Sequence, residues 1–426
     1  MRAFGIILAG AFLVTWLAGN AFAGSVTVSP PKPEPSHLRW KGRTIKISLS
    51  SSLIQPSPNV KTDSDVMGAV RRSLQAWQNV ADLDLVLEMS DRQSLSPSGL
   101  SGDGVSLITI AQSPENVLLF SKNPQAESAK TRIFYNRKGS ITEADIVLNP
   151  FQQFSTDGTY GTFDLELTLT HEIGHLLGLR HSDVIGSIMF ENVLKNGTYG
   201  FLGGGSRTLS ASDIASIREL YGGGDKNTCC GSIAGKLNMS GGRPQKGLRV
   251  WAEESETGRV IAQAETAADG SYRLGGLPDS TYTVFWELRD EKGNASSGEL
   301  GSLRITKGES RDLSETIVLR RSAVVLNYAG MNGQISDSAV LLSAGHEYLV
   351  SLGGRNLDPK SVRIDFSSPF LRAVPGSITP QDFGDSVSAI TFVVAVEKEA
   401  PAGTYSIFAA GTDGTRSSMI GAVVVQ

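Results

Sequence analysis

The run His171-Glu172-Ile173-Gly174-His175-Leu176-Leu177-Gly178-Leu179-Arg180-His181 concentrates the residues able to do chemistry. His171 and His175 stand four apart, so on a helix their imidazoles leave one face about one turn apart and can bind one ion. Glu172, on the neighbouring edge of that face, can reach a water on the metal without being a ligand itself. Gly178 lacks a Cβ and can take the left-handed conformation that ends a helix and turns the chain back. That return brings His181 round as a third nitrogen ligand. Three neutral imidazoles leave a tetrahedral Zn2+ with one open position, as in a catalytic site. Zinc lowers the pKa of its water towards 7, and Glu172 can take the proton as the water attacks a peptide carbonyl, then return it to the leaving amine. The same ion faces the developing oxyanion. The chain has five histidines in 426 residues, so a chance run of this kind has a probability on the order of 10⁻⁵. A surface helix with exposed histidines, or a purely structural zinc site, would have no use for Glu172 beside an open position.

The elements that must position these groups are legible on either side. A helix from near Asp164 through both histidines to Gly178 carries the motif. Upstream, Arg43–Leu49 alternates like a half-buried strand, and Val66, Val70, Leu74 and Trp77 form one stripe of a helix ending near Val80. Strands are expected at Asp84–Glu88, Val105–Ile110 and Asp145–Leu148. A third helix starts at Ser210, which can cap it with Asp213, and Ile214, Ile217 and Tyr221 form its inner face. Gly222-Gly223-Gly224 breaks the pattern and marks a domain boundary. Beyond it, short β-branched runs between turn residues point to two β-sandwiches. Leu248–Ala252 and Tyr282–Leu288 are strands of the first, and Asp269-Gly270 marks a hairpin turn.

Composition sets the remaining bounds. With 39 Lys+Arg against 43 Asp+Glu and a net charge of −4, a basic nucleic-acid binder is excluded as a first reading. Residues 1–23 read as a signal peptide: Arg2, an apolar run from Phe4 to Leu17, then Ala21-Phe22-Ala23 as the cleavage site. Residues 24–37 form a Pro-rich tether, extended and without a core of its own. The adjacent Cys229 and Cys230 have Cα atoms about 3.8 Å apart, too close for an unstrained bridge, so no disulfide-stapled fold is expected. Free thiols, a vicinal disulfide and an intermolecular bond all stay open.

These residues resemble the metzincin metalloproteases, whose motif H-E-x-x-H-x-x-G-x-x-H is followed by a methionine turn. Met189, within Ser187-Ile188-Met189-Phe190, fits that turn, and Ser182 after the third histidine is the residue type of the matrixin branch. Asp213-Ile214 through Leu220-Tyr221-Gly222 is similar to the matrixin C-terminal helix, and residues 144–149 to the strand bordering the substrate cleft. The resemblance implies an α+β metzincin catalytic domain, a twisted mixed sheet with three helices, at 38–224. It also implies His171, His175 and His181 as zinc ligands, Glu172 as general base, and Met189 as the floor beneath the metal without being a ligand. Three departures stand out. No cysteine-bearing propeptide precedes the domain, and His37 and His346 are too few for a second histidine-rich zinc site. Glu191 replaces the usual proline two residues after the methionine, so the family's preference for the residue after the cleaved bond does not transfer. The Asp- and Gly-containing stretch 155–164 is a candidate for Ca2+ or a plain loop.

After a linker at 225–230, residues 231–320 resemble the carboxypeptidase-regulatory-like β-sandwich through Thr266–Leu274 and Thr281–Val284. Residues 321–426 resemble bacterial immunoglobulin-like modules through Ala400–Ser406. Both likenesses imply fold and not function, and spacers or stabilisers are as good a reading as substrate binding. The expectation is a secreted, extracellular or periplasmic zinc metalloendopeptidase. It acts on protein or peptide substrates, with no nucleic-acid partner, no transmembrane segment after cleavage near Ala23, and cell-surface or matrix contact through the β-modules as an open role. Two alternatives remain: an extracellular adhesin or matrix-binding protein with a vestigial protease domain, and a zinc hydrolase of a non-protein amide or ester.

Overall fold

From Thr44 to Leu49 the strand Thr44–Ser50 alternates buried with more exposed side chains, and this half-buried strand organises the first sheet. The structure, a computed structural model, describes residues 24–27, 37–97, 102–122, 124–125, 127–198, 206–223, 229–384 and 387–426. The predicted leader and its cleavage site, most of the tether and linker residues 225–228 lie outside the described residues. The first sheet uses β1 (Gly24–Thr27), β2 (Arg39–Trp40), β3 (Thr44–Ser50), β4 (Asp84–Ser90), β5 (Leu107–Thr109), β6 (Ala129–Tyr135) and β7 (Ser140–Leu148), in the order β1-β6-β7-β5-β3-β4, with β2 beside β7. It is mixed: β6 runs antiparallel to β7, while β3, β4, β5 and β7 are parallel. Within the predicted tether, β1 lies parallel beside Lys130–Ile133 of β6.

Helix α1 (Val66–Gln78) is capped by Asp65, whose carboxylate accepts from the Gly68 N–H at 2.9 Å. Its buried face, Ala69, Val70, Ser73, Leu74 and Trp77, meets the helix that carries the histidines, α3 (Leu165–Leu176). Trp77 Nε1 donates to Thr170 O at 2.9 Å, and Ser73 Oγ to Glu166 O at 3.0 Å. Two more α-helices are described: α2 (Pro114–Leu119), a short helix beyond the three expected, and α4 (Ala211–Tyr221). Ser210 and Asp213 cap α4 reciprocally, as the spacing predicts.

β7 is paired on both flanks, by β5 and by β6, and Thr131 of β6 reaches Glu172 of the helix that carries the histidines. β6 itself has no alternation to read, because Ala129, Thr131, Arg132, Ile133 and Phe134 are all buried. The buried Arg132 guanidinium donates to Ser96 O and lies near Asp145, whose carboxyl burial pushes up to about 7.

From Cys229 onward the described residues form strands and turns without helix. The Cys229–Met239 strand pairs Ser271–Pro278 on one side and short strands near 310–317 on the other, opposite a sheet of Val260–Glu265, Arg249–Glu254, Ser280–Arg289 and Ala295–Ile305. Asp269-Gly270 is therefore not a hairpin between paired strands. The turn closes locally, Ala267 N–H to Ser271 O at 2.8 Å, but the strands it joins enter different sheets. Further along, a six-stranded and a four-stranded sheet enclose Leu326, Val350, Leu352, Ile390, Phe392 and Ile407 among others. Cys229 and Cys230 are bonded to each other. Among the described residues, no helix is long and apolar enough to cross a membrane.

Candidate metal centre

Asp164 caps α3 by accepting from the Leu167 N–H at 2.9 Å, and every residue of the helix is buried. Arg207 holds Asp164 and Glu166, and Arg72 adds a second ion pair to Glu166, so the charged start of the helix is satisfied. At its other end Leu177 caps the helix and Gly178 takes φ +98°, where a Cβ would lie 2.2 Å from Leu38 O. Glycine is required there for both reasons.

The turn after Gly178 brings His181 to the helix. His171 Nε2 lies 3.0 Å from His175 Nε2, which lies 3.1 Å from His181 Nε2. Each outer nitrogen on the helix has a carbonyl partner: His171 Nδ1 with Ile188 O at 2.6 Å, His175 Nδ1 with Leu179 O at 2.8 Å. A carbonyl can only accept, so both Nδ1 atoms carry the hydrogen and both Nε2 lone pairs face the common centre. Burial, reinforced by the neighbouring imidazoles, lowers the pKa of His171 to about 3 and that of His175 well below its usual value. Both rings are neutral at physiological pH, the state a metal ligand needs. Among the described residues, these three form the one group of His, Cys, Asp and Glu close enough to hold an ion. The donor set, three nitrogens of borderline softness, fits zinc. Within the calcium candidate at 155–164, Asp157 is bonded by Lys61 and by Thr159.

Glu172 is fully buried beside this group. Its Oε2 accepts from Thr131 Oγ1 at 2.5 Å, while Oε1 has no protein partner. Burial pushes its carboxyl up to about 8, and the Thr131 hydrogen bond pulls the other way.

Residues 120–222 match the family described as Matrixin, peptidase family M10. The chain carries a matrixin-like metalloprotease domain. Among relatives, metalloendoproteinase 5-MMP of Arabidopsis thaliana is 40% identical over 91 residues, 21% of this chain and 23% of that protein. Interstitial collagenase of Oryctolagus cuniculus is 23% identical over 197 residues, 46% of this chain and 34% of that protein. The chain thus spans about a third or less of the length of these curated relatives. Among solved structures, the major pilin subunit BcpA of Bacillus cereus has 11% identity and a TM-score of 0.17, covering 46% of this chain and 69% of that one.

In the matrixin-like domain Met189 is buried and lies below the helix: a Cβ on Gly174 would come within 2.3 Å of its Sδ and 2.9 Å of Trp77 Cζ2. The glycine inside the motif thus makes room for the methionine and the tryptophan. Two residues that matter here escape a reading by local pattern. Thr131 reaches Glu172 from β6, an unpredicted strand. Asp213 is readable as a helix cap, yet its carboxylate also accepts from the Ile188 N–H at 2.9 Å and the Met189 N–H at 3.1 Å. The signal that was available for Asp213 is an acidic residue at a capping position near a methionine turn, and it says nothing of the second pair of bonds.

Proposed function

We propose that this chain is a secreted zinc-dependent endopeptidase in which His171, His175 and His181 hold the metal and Glu172 is the general base. The observation that carries the reading is the convergence of three imidazole Nε2 atoms, with the next residue after His171 a buried carboxylate that has one uncommitted oxygen. Zinc bound there supplies a polarised water and electrostatic stabilisation of a developing oxyanion. Glu172 Oε1 accepts the proton of the attacking water and delivers it to the leaving amine. Thr131 holds Oε2 and leaves Oε1 without a protein partner, free to take a proton. A cation on the three imidazoles favours the ionised form of Glu172 and so offsets the effect of burial.

On this reading 1–23 is a leader cut near Ala23, 38–224 the catalytic domain, and 231–320 and 321–426 a carboxypeptidase-regulatory-like and an immunoglobulin-like β-sandwich. The substrate is protein or peptide. The test is metal analysis of the purified chain beside a digest of casein and a peptide library. One zinc per chain with cleavage is expected. Zinc binding with no hydrolysis of any peptide would defeat the peptidase reading in favour of a binding protein acting through its β-modules.

A further inference from the structure

His171 and His175 sit on a helix, but His181 sits on a loop, so its position depends on whatever holds that loop. The segment from Ser182 to Phe190 is closed on itself: Ser182 N–H donates to Met189 O at 2.8 Å, and Ser187 N–H to Val184 O at 2.9 Å. Its outer side is not solvent. Val184, three residues beyond His181, is fully buried in a cluster with Trp251, Val260, Phe285, Phe408 and Ile420, all from the C-terminal β region. The next two residues dock their backbone on the last strand, Arg416–Val425: Ile185 N–H donates to Ile420 O at 2.8 Å, and Gly186 N–H to Gly421 O at 2.9 Å.

The fit is close on both sides. A Cβ on Gly186 would come within 2.5 Å of Val424 Cγ2, and one on Gly421, at φ +64°, within 2.5 Å of Val184 Cγ1. Asp183 adds a lateral tie by accepting from Gln263 Nε2 at 2.8 Å, with Arg249 Nη1 3.9 Å away. The far end of the same loop presents Ile188 O to His171 Nδ1 and places Met189 under Gly174. One loop therefore sets both the place of the third imidazole and the tautomer of the first.

We propose that the C-terminal β region is a working part of the histidine site, and that Val184 is the positioning residue through which it acts. The β strands grip Val184, Ile185 and Gly186, and the gripped loop holds His181 and Ile188 O in register with α3. A spacer would leave this loop alone. The inference rests on the triad being a zinc site, and its readout is zinc affinity, so it is separable from the peptidase reading: zinc binding without cleavage would sink that reading and leave this comparison intact.

The test uses the full chain and zinc itself, with the dissociation constant measured by competition against a chromophoric chelator and the Tm of the metal-free protein measured in parallel. Val184→Ala and Ile420→Ala are expected to weaken zinc tenfold or more and to lower kcat with KM nearly unchanged. The double variant should lose little more than the worse single one, because both act through one contact. Leu352→Ala, in the last β core but outside the cluster around Val184, should lower the Tm while leaving the zinc constant within twofold. Gln263→Ala, on the half-buried lateral tie, keeps the test open if Val184→Ala fails to fold, and should weaken zinc about threefold. Unchanged zinc affinity in the loop variants, or an equal loss in Leu352→Ala, would overturn the proposal.

Discussion

The Asp213 carboxylate accepts from the backbone N–H of Met189 at 3.1 Å, tying the first turn of α4 to the turn beneath the histidines. The same carboxylate takes the Ile188 N–H, and Ile188 O faces His171 Nδ1, so one buried acid orders both the methionine turn and the first imidazole. Burial raises its pKa, while the hydrogen bonds from Ser210, Ile188 and Met189 oppose that shift.

Removing this carboxylate strands three backbone donors, those of Ile188, Met189 and Ser210. Each unsatisfied buried donor costs about 1–3 kcal/mol. Asp213→Ala is therefore expected to lose about 3 kcal/mol or more by chemical denaturation, and to bind zinc more weakly than the parent. A loss below about 1 kcal/mol would mean that water replaces the carboxylate.

Glu172 is the group whose loss should separate binding from chemistry. Glu172→Gln keeps the shape and is expected to retain one zinc per chain while kcat/KM falls by about 10²–10⁴-fold, the usual share of a general base. Thr131→Val removes the donor at 2.5 Å from Oε2 and should cost about tenfold, near the lower range for a hydrogen bond to a charged group. Steady-state kinetics with metal content measured on each sample checks both.

Gly174→Ala sets two effects against each other. Alanine gains about 1 kcal/mol of helix propensity over glycine. Its methyl would press on Met189 Sδ and on the rigid Trp77 ring, and overpacking of this kind costs about 1–3 kcal/mol. Packing is expected to win, so the Tm should fall rather than rise.

Glu253 predicts a pH dependence distant from the metal. It is buried where two β regions meet and accepts from Trp251 Nε1 at 2.8 Å and Ser406 Oγ at 2.7 Å. Burial pushes its carboxyl up to about 7, against the pull of those bonds. The folded value lies above the unfolded one, so protonated Glu253 contributes stability that is full below about pH 4.3 and lost as the pH rises through about 7. Glu253→Gln should flatten that part of the Tm-versus-pH curve. An equal slope in both proteins would assign the dependence to another group.

The motif, the helix around it and the cap at Ser210 were all legible in the sequence, because each is a local pattern: a spacing of four, a side chain three residues before the N–H it accepts from, a glycine where the chain must turn left. The C-terminal change from helix to strand was legible for the same reason. What local pattern could not carry is whichever partner is distant along the chain. Thr131 lies 41 residues from Glu172, Asp213 lies 24 from Met189, and Ile420 belongs to the last strand while its partner Ile185 follows the third histidine. β6 escaped notice because a buried arginine and two buried faces erase the alternation that marks a strand. The sequence by itself determined which residues could meet a metal and the local turns that bring them together. The tertiary structure alone decided which groups hold them there, since hydrogen bonds and apolar contacts between remote segments form only once the sheets and helices have packed.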